Sequence, residues 1–348
     1  GNKDITWETN GNLNVGVEFG LWQNRLYGNV DYFYRKTSDM LFNLKVAPSL
    51  GYSSYYTNIG DMVNQGVEVE LGADLIRRKN FVWSFGMNGT FYRNKITRLP
   101  EQYKQHTTHD GKIQGYQSGS SFLAEGHSMM QWYIPTYAGV NEKGLPLFWA
   151  REEYVENGEM KFRLVKTTDY ADKATYFVFD TSLPDLYGGF GTSFDLYGFD
   201  LSVNFVYQLG GKVYDGDYAG SMASRSADLI NVGTAIHKDM YNAWTPENKN
   251  NEYPRFVYGD NYTSASSDRF LESASYLSLQ NINFGYTFPR KWMSKIGVSK
   301  LRLYVAAENI WYWSARKGLD PRQSFTGGAS SAYYSPIRTI SGGINLTF

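Results

Sequence analysis

Leu186-Tyr187-Gly188-Gly189-Phe190-Gly191-Thr192-Ser193-Phe194-Asp195-Leu196, followed by Tyr197-Gly198 and then Phe199-Asp200-Leu201-Ser202-Val203-Asn204-Phe205-Val206-Tyr207-Gln208-Leu209, decides how the chain must be read. Leu186, Phe190, Phe194 and Leu196 alternate with Tyr187, Gly189, Ser193 and Asp195, and after the turn Phe199, Leu201, Val203 and Phe205 alternate with Asp200, Ser202 and Asn204. A side-chain period of two means extended backbone with one apolar and one polar surface. Each run is about ten residues long, enough to cross a bilayer at a tilt. The pattern predicts a transmembrane β-hairpin.

The same signal recurs outward in both directions. Leu13, Val15, Val17, Phe19 and Leu21 alternate with Asn12, Asn14 and Glu18, and after a tight turn Leu26, Val30, Tyr32 and Tyr34 oppose Asn29, Asp31 and Arg35. Val67, Val69, Leu71, Ala73 and Leu75 then oppose Glu68, Glu70 and Asp74, and Phe81, Trp83, Phe85, Met87 and Phe91 oppose Ser84, Asn88 and Thr90. Past the central hairpin come Ile282, Phe284, Tyr286 and Phe288, with a register-shifting bulge expected near Leu279. Leu301, Leu303, Val305, Ala307, Trp311 and Trp313 follow, and then Ile340, Gly342, Ile344, Leu346 and Phe348. A less regular pair, at about 129–140 and from Leu145 onward around a turn at Asn141 to Gly144, brings the expected count to about eleven.

Alternation alone fits a soluble sandwich as well, because both architectures hide one face of each sheet. The connections discriminate. Short turns at 22–25, 76–80, 141–144, 197–198 and 289–299 alternate with long, polar, Gly- and Ser-rich loops, the longest at about 215–273. That sorting puts short turns on one side of a membrane and long loops on the other. The apolar rows carry no Lys or Arg, each of which would cost about 2 to 4 kcal/mol at the midplane of a barrel.

Composition agrees. The 348 residues hold 34 Lys plus Arg against 34 Asp plus Glu, so charge balance gives no reason to expect nucleic acid. With no cysteine, disulfides and thiolate metal sites are excluded. Aromatics reach 17% while mean hydropathy is −0.46, and no run of about 18 apolar residues offers a helical span. A barrel is compatible, since half of every strand is polar. The first residues, Gly1-Asn2-Lys3, lack the features of a signal peptide, so the chain reads as mature or as a piece of something longer.

Several motifs resemble the C-terminal half of the SusC/RagA family of TonB-dependent outer-membrane transporters of Bacteroidetes. They are Pro184 to Phe190 with Gly198 to Phe205, Asn58-Ile59-Gly60-Asp61 with Gln65-Gly66-Val67-Glu68, Ser267-Asp268-Arg269-Phe270-Leu271, Asn281 to Pro289, Arg302 to Asn309 and Gly318-Leu319-Asp320-Pro321. The resemblance implies an all-β, antiparallel up-and-down transmembrane barrel, of which residues 1–348 supply about the last eleven of 22 strands. It also implies an N-terminal plug, a SusD-like surface lipoprotein as lid, energy from TonB-ExbB-ExbD, and import of oligosaccharides or peptides across the outer membrane. No plug, N-terminal domain or TonB-contacting segment is visible in this sequence. The competing expectation is a soluble or surface β-sandwich that binds glycans.

Residues that could carry chemistry are few, and no catalytic group, cofactor or metal site is expected. His106-Thr107-Thr108-His109 lacks a neighbouring Glu and reads as a polar loop. Asp215-Gly216-Asp217 lacks the fuller ligand run of a calcium loop and reads as a turn. Glu68, Glu70, Asp74, Asp195 and Asp200 fall on the polar strand face, where lumen-lining carboxylates belong. Trp22, Tyr34, Trp311 and Trp313 sit near strand ends, as interfacial girdles do. Trp244, Tyr253, Tyr258 and Tyr262 lie in the longest loop and are the expected contacts to substrate or lid. Phe348 is the expected anchor and, from the resemblance, the signal to the assembly machinery.

Overall fold

In the computed structural model, nine long strands form a single antiparallel sheet in strict chain order. They are β1 (Thr9–Leu21), β2 (Leu26–Ser38), β3 (Asp61–Arg78), β4 (Phe81–Arg98), β5 (Leu186–Leu196), β6 (Phe199–Leu209), β7 (Tyr276–Thr287), β8 (Lys300–Ser314) and β9 (Thr339–Thr347). The structure describes residues 4–46, 49, 51–223, 236–249, 252–256, 262–324, 327–329 and 335–348. Neighbours in sequence are neighbours in space throughout, which is the up-and-down meander and not a Greek key. β1 and β9 are the two free edges, so the sheet is an open part of a barrel whose closure needs further strands.

The registers are those the alternation dictates. Leu186 faces Leu209, Phe190 faces Phe205 and Leu196 faces Phe199. The same outer row continues through Val15, Tyr32, Val67, Phe91, Leu186 and Leu209. Tyr197 (φ 48) and Gly198 (φ 93) close the β5–β6 hairpin in the left-handed region that a two-residue primed turn requires. The bulge expected near Leu279 is present: both β6–β7 and β7–β8 skip Gln280. Asn309, at φ 50, makes the matching irregularity in β8 and accepts a 3.3 Å hydrogen bond from Gln280 Nε2. A second bulge lies between Asp74 and Ile76, so Leu75 leaves the outer row and Ile76 resumes it opposite Trp83.

Two expectations need correcting. Residues 129–140 and those after Leu145 form no part of the large sheet, which therefore has nine strands where about eleven were counted. Gln131–Pro135 joins a small sheet with Tyr176–Thr181 and Ser121–Ala124, while Tyr137–Val140, Pro146–Glu156 and Glu159–Thr167 form another. The physical reason is visible in Tyr133, Ile134 and Phe148, all buried in cores that a lipid-facing strand would not have. The turn at Asn141 to Gly144 accordingly lies inside one long connection, residues 99–185. Four short connections remain (22–25, 79–80, 197–198 and 288–299), and they still alternate with four long ones (39–60, 99–185, 210–275 and 315–338).

β3 and β4 run 18 residues each, a reach of about 60 Å. At the tilt of about 40° usual for barrel strands that is a rise of about 45 Å, against a hydrocarbon core of about 30 Å, so about a third of this hairpin stands clear of it, and the long-loop end is where it gathers a core. Met40, Ile59, Ile96, Leu99, Tyr103 and Leu123 pack there. Beyond Phe91 the β4 edge loses β5 and is covered by the loop instead: Ile96 N–H donates to His127 O (2.8 Å) and Gly126 N–H to Ile96 O (2.9 Å).

Candidate functional site

The polar face of the sheet is a wall of small polar side chains cross-linked between strands. Asn204 Nδ2 donates to Asn281 Oδ1 (2.8 Å), Asn94 Nδ2 to Asn64 Oδ1 (2.7 Å) and Tyr92 Oη to Asn64 Oδ1 (2.6 Å). Of the carboxylates assigned to this face, Asp200 is held by Arg302, and Asp74 accepts from Ser84 Oγ (2.8 Å) beside Arg77 at 3.6 Å. Glu68 and Glu70 are exposed on the same wall. Tyr27, Glu70, Ser84, Asn88, Ser202 and Asn204 line a recess of about 490 Å³ there. Glycine deepens it: a Cβ at Gly72 would lie 2.3 Å from Tyr27 Cζ. The wall offers hydrogen bonds and, at Glu18, Asp31, Glu68 and Glu70, a run of carboxylates, which suits passage of a polar solute.

At the long-loop end the connections fold onto one another as a water-soluble protein would. Rings run from Tyr137 to Phe148 (5.8 Å), Phe148 to Tyr170 (4.8 Å) and Tyr170 to Tyr262 (5.5 Å), joining the 99–185 connection to the 210–275 connection. Burial pushes the Tyr137 and Tyr170 phenols up to about 12, so both are neutral hydrogen-bond donors, to Glu252 O (3.1 Å) and Ser266 O (2.9 Å). Arg269 lies over the Tyr137, Tyr253 and Phe270 rings. Asp268 accepts from Tyr137 N–H (2.7 Å), and burial pushes its carboxyl up.

The sequence motifs acquire roles here. Asp268, Arg269 and Phe270 clamp two loops together. Arg322 grips the buried Asp320 (2.8 and 2.7 Å) and reaches Ser278 Oγ on β7 (3.0 Å), so the Gly318 to Pro321 motif ties the last long loop to the sheet. Asn58 Nδ2 donates to Asp39 O (2.6 Å) and Thr6 O (3.1 Å). Gly60, at φ 124, passes so close to β4 that a Cβ would meet Arg98 O at 1.9 Å. Arg98 in turn holds Asp61 (2.9 Å) and Asp39 (2.8 Å).

Of the four loop aromatics expected to meet substrate or lid, Trp244 and Tyr253 are half-buried and pack the loops: Trp244 lies against Gly144, and Tyr253 packs on the Tyr218, Met222 and Phe270 cluster. Tyr262 is exposed at the end of the ring series, and Tyr258 lies outside the described residues. Tyr241, 92% exposed in the same loop, was not singled out by sequence; nothing in Tyr241-Asn242-Ala243-Trp244 tells which ring turns outward. Asp215 caps the helix Gly216–Ser221 through Tyr218 N–H (2.9 Å) and pairs with Arg316 (Nε at 3.0 Å), so its carboxylate has a structural task. His106 lies edge-on to Tyr116 and His109 is tilted against Phe177, separate surroundings for the two imidazoles. Trp311 and Trp313 stand exposed on the outer face at the long-loop end, Trp22 at the short-turn end, and Phe348 follows β9, 87% exposed.

The comparisons agree with this architecture. The family profile described as "TonB dependent receptor-like, beta-barrel" matches residues 1–235. Among curated proteins, TonB-dependent receptor P3 of Formosa agariphila is 28% identical over 365 residues, covering 100% of this chain and 35% of that protein. TonB-dependent receptor SusC of Bacteroides thetaiotaomicron is 25% identical over 354 residues, covering 100% of this chain and 32% of that protein. The structure described as "Structure of the RagAB peptide transporter" superimposes with a TM-score of 0.80 at 25% identity, over 100% of this chain and 36% of that one. The chain thus spans about a third of the length of the relatives it matches. Its place at family level follows from profile and topology together: the chain belongs to the β-barrel family of TonB-dependent receptors.

Proposed function

We propose that residues 1–348 are the C-terminal part of the barrel of an outer-membrane importer, energised through TonB-ExbB-ExbD and working with a SusD-like lipoprotein lid. The observation that carries this reading is the sorting of connections, four short against four long, on a sheet with one apolar and one hydrogen-bonding face. The sorting supports an orientation with the long loops, with their own packed cores, on the extracellular side, where substrate and lid arrive. A plug and the remaining barrel strands come from the rest of the full-length protein, and the free edges of β1 and β9 are where those strands pair. Lipid covers the outer face.

The cargo is an oligosaccharide or a peptide. A wall of Asn, Ser and Tyr interspersed with carboxylates suits either, and the RagAB structures this chain resembles are described as peptide transporters. Tyr262 and Tyr241 are the exposed rings of the long-loop end proposed to stack on cargo or lid. The role is passage and not catalysis, in line with a family of receptors. Mass spectrometry of material bound to the detergent-solubilised full-length protein tests the reading: a homogeneous glycan or peptide fraction, lost on Tyr262→Ala with Tyr241→Ala, is expected. A preparation that stays in solution without detergent contradicts it.

A further inference from the structure

One hairpin of the loop assembly leaves its core. Phe148 and Ala150 at the root are buried, but from Arg151 to Leu164 the strands Pro146–Glu156 and Glu159–Thr167 run out largely into solvent. Asn157 (φ 54) and Gly158 (φ 81) close it in a two-residue turn, and the pairing runs from Glu156 with Glu159 to Phe148 with Thr167 without a register shift. One face is ion-paired, Glu152 with Arg163 and Glu156 with Lys161, each at 2.6 Å. The other is an exposed apolar row of Val155, Met160, Phe162 and Leu164, with the Arg151 guanidinium 4.6 Å over the Phe162 ring.

The backbone edge is open on one side only. Across a two-residue turn the flanking pair, Glu156 and Glu159, exchanges both hydrogen bonds, so Lys161, Arg163 and Val165 also bond inward. Met160, Phe162, Leu164 and Lys166 therefore aim N–H and C=O away from the hairpin. On the opposite strand such groups are used: Trp149 N–H donates to Thr136 O (3.0 Å), Thr175 N–H to Trp149 O (2.9 Å) and Arg151 N–H to Thr175 Oγ1 (2.8 Å). Among the described residues nothing pairs with the outer edge of Glu159–Thr167, and neither a Pro nor a bulge interrupts it.

The geometry of that edge names what it fits. Its outward donors and acceptors recur every second residue, about 7 Å apart, which is the repeat of an extended peptide backbone. A sugar chain carries no such alternating row. The root of the edge also adjoins the ring series, since Thr167 pairs with Phe148, which leads through Tyr170 to the exposed Tyr262. We propose, resting on the importer reading above, that the Glu159–Thr167 edge is a docking site for peptide cargo, which adds to the hairpin as a further strand and sets alternate side chains on Met160, Phe162 and Leu164.

The test is hydrogen exchange resolved to single amides, on the full-length protein in detergent, with a peptide of alternating Leu and Ser, the same peptide N-methylated at every amide, or maltoheptaose. The first should slow exchange at Met160, Phe162, Leu164 and Lys166 and leave Lys161 and Arg163, already bonded inward, as they were; the other two should slow none. Peptide affinity should fall about tenfold in Phe162→Pro, which deletes an outward donor and no bond to Pro146–Glu156, fall less in Phe162→Ala, and hold in Lys161→Ala on the ion-paired face. No protection by the peptide, equal protection by its N-methylated form, or equal affinity in Phe162→Pro and Phe162→Ala overturns the edge. Protection of the outward amides before any peptide is added means that another segment of the full-length protein sits there, and overturns it too. Protection by maltoheptaose overturns the assignment to peptide. Each of these leaves the importer reading standing, whereas a protein that needs no detergent overturns that reading itself.

Discussion

The sheet and the loop assembly are built from the same kinds of residue and bury them in opposite senses. On the sheet, Val17 is 66% exposed and Ile344 64%, in continuous apolar rows with nothing packed on them among the described residues. In the loops, Phe122 is 0% exposed and Phe270 1%, inside cores of the sort that fold in water. An exposed apolar patch of that extent does not survive on a soluble monomer. The contrast teaches that the two regions have different solvents, lipid for the sheet and water for the loops, and that the boundary runs across β3 and β4 near Phe91.

That contrast can be broken most strongly in the loops. Phe270→Ala empties the centre of the Tyr218, Ala219 and Met222 cluster and should cost the loop assembly about 3 to 5 kcal/mol. Hydrogen exchange should show the 210–275 connection opening while heat-modifiability of the barrel is kept; a barrel that melts in step would mean the two regions are one cooperative unit.

Next comes the lipid face. Leu71→Arg or Val203→Arg should lower barrel stability by about 2 to 4 kcal/mol near the midplane, whereas Glu70→Arg and Asn204→Arg, one residue away on the polar face, should be far milder. Denaturant titration of the full-length protein in vesicles measures both. Equal losses at the two kinds of site would erase the distinction between lipid and lumen.

A smaller effect is expected at the seam. Gly60→Ala forces a Cβ against Arg98 O in a backbone conformation that L residues rarely adopt, costing about 1 to 3 kcal/mol locally. Proteolysis near Asn58 should rise without change in strand content. Smallest in stability is Phe348→Ala, since the ring lies beyond Thr347, the last paired residue of β9. If Phe348 signals assembly, the amount of full-length protein in the outer membrane should fall even so; an unchanged amount leaves it an ordinary strand-end residue.

Sequence showed the sheet well and the loops poorly, for one physical reason. Where a single side chain in two meets lipid, period-two alternation is the register, and the pairing of Phe190 with Phe205 and the bulge at Gln280 could be read from it. In Gln131–Pro135 and Pro146–Glu156 alternation says extended but not beside what, because burial there is set by neighbours far away in sequence, as Phe148 and Tyr170 show. Hence the two strands placed in the wrong sheet. The same limit hid the roles of Arg269 and Arg322: the first stands in a motif noted for resemblance and the second directly follows one, yet their partners Tyr137 and Ser278 come from other segments. Trp244 and Tyr253 stand in the longest loop, where sequence says nothing of what a ring touches; there they pack against Gly144 and the Phe270 cluster.

The claim on which the rest depends is that the long connections and the short turns lie on opposite sides of the outer membrane. Single cysteines in an otherwise cysteine-free chain, placed at Tyr52, Gln114 and Ser324 on one side and at Lys79, Gly198 and Met293 on the other, can be probed with a membrane-impermeant maleimide on intact cells making the full-length protein. Labelling of the first three alone, with the second three reacting only after the membrane is opened, is the predicted result. Labelling at Lys79 or Gly198 on intact cells would contradict it.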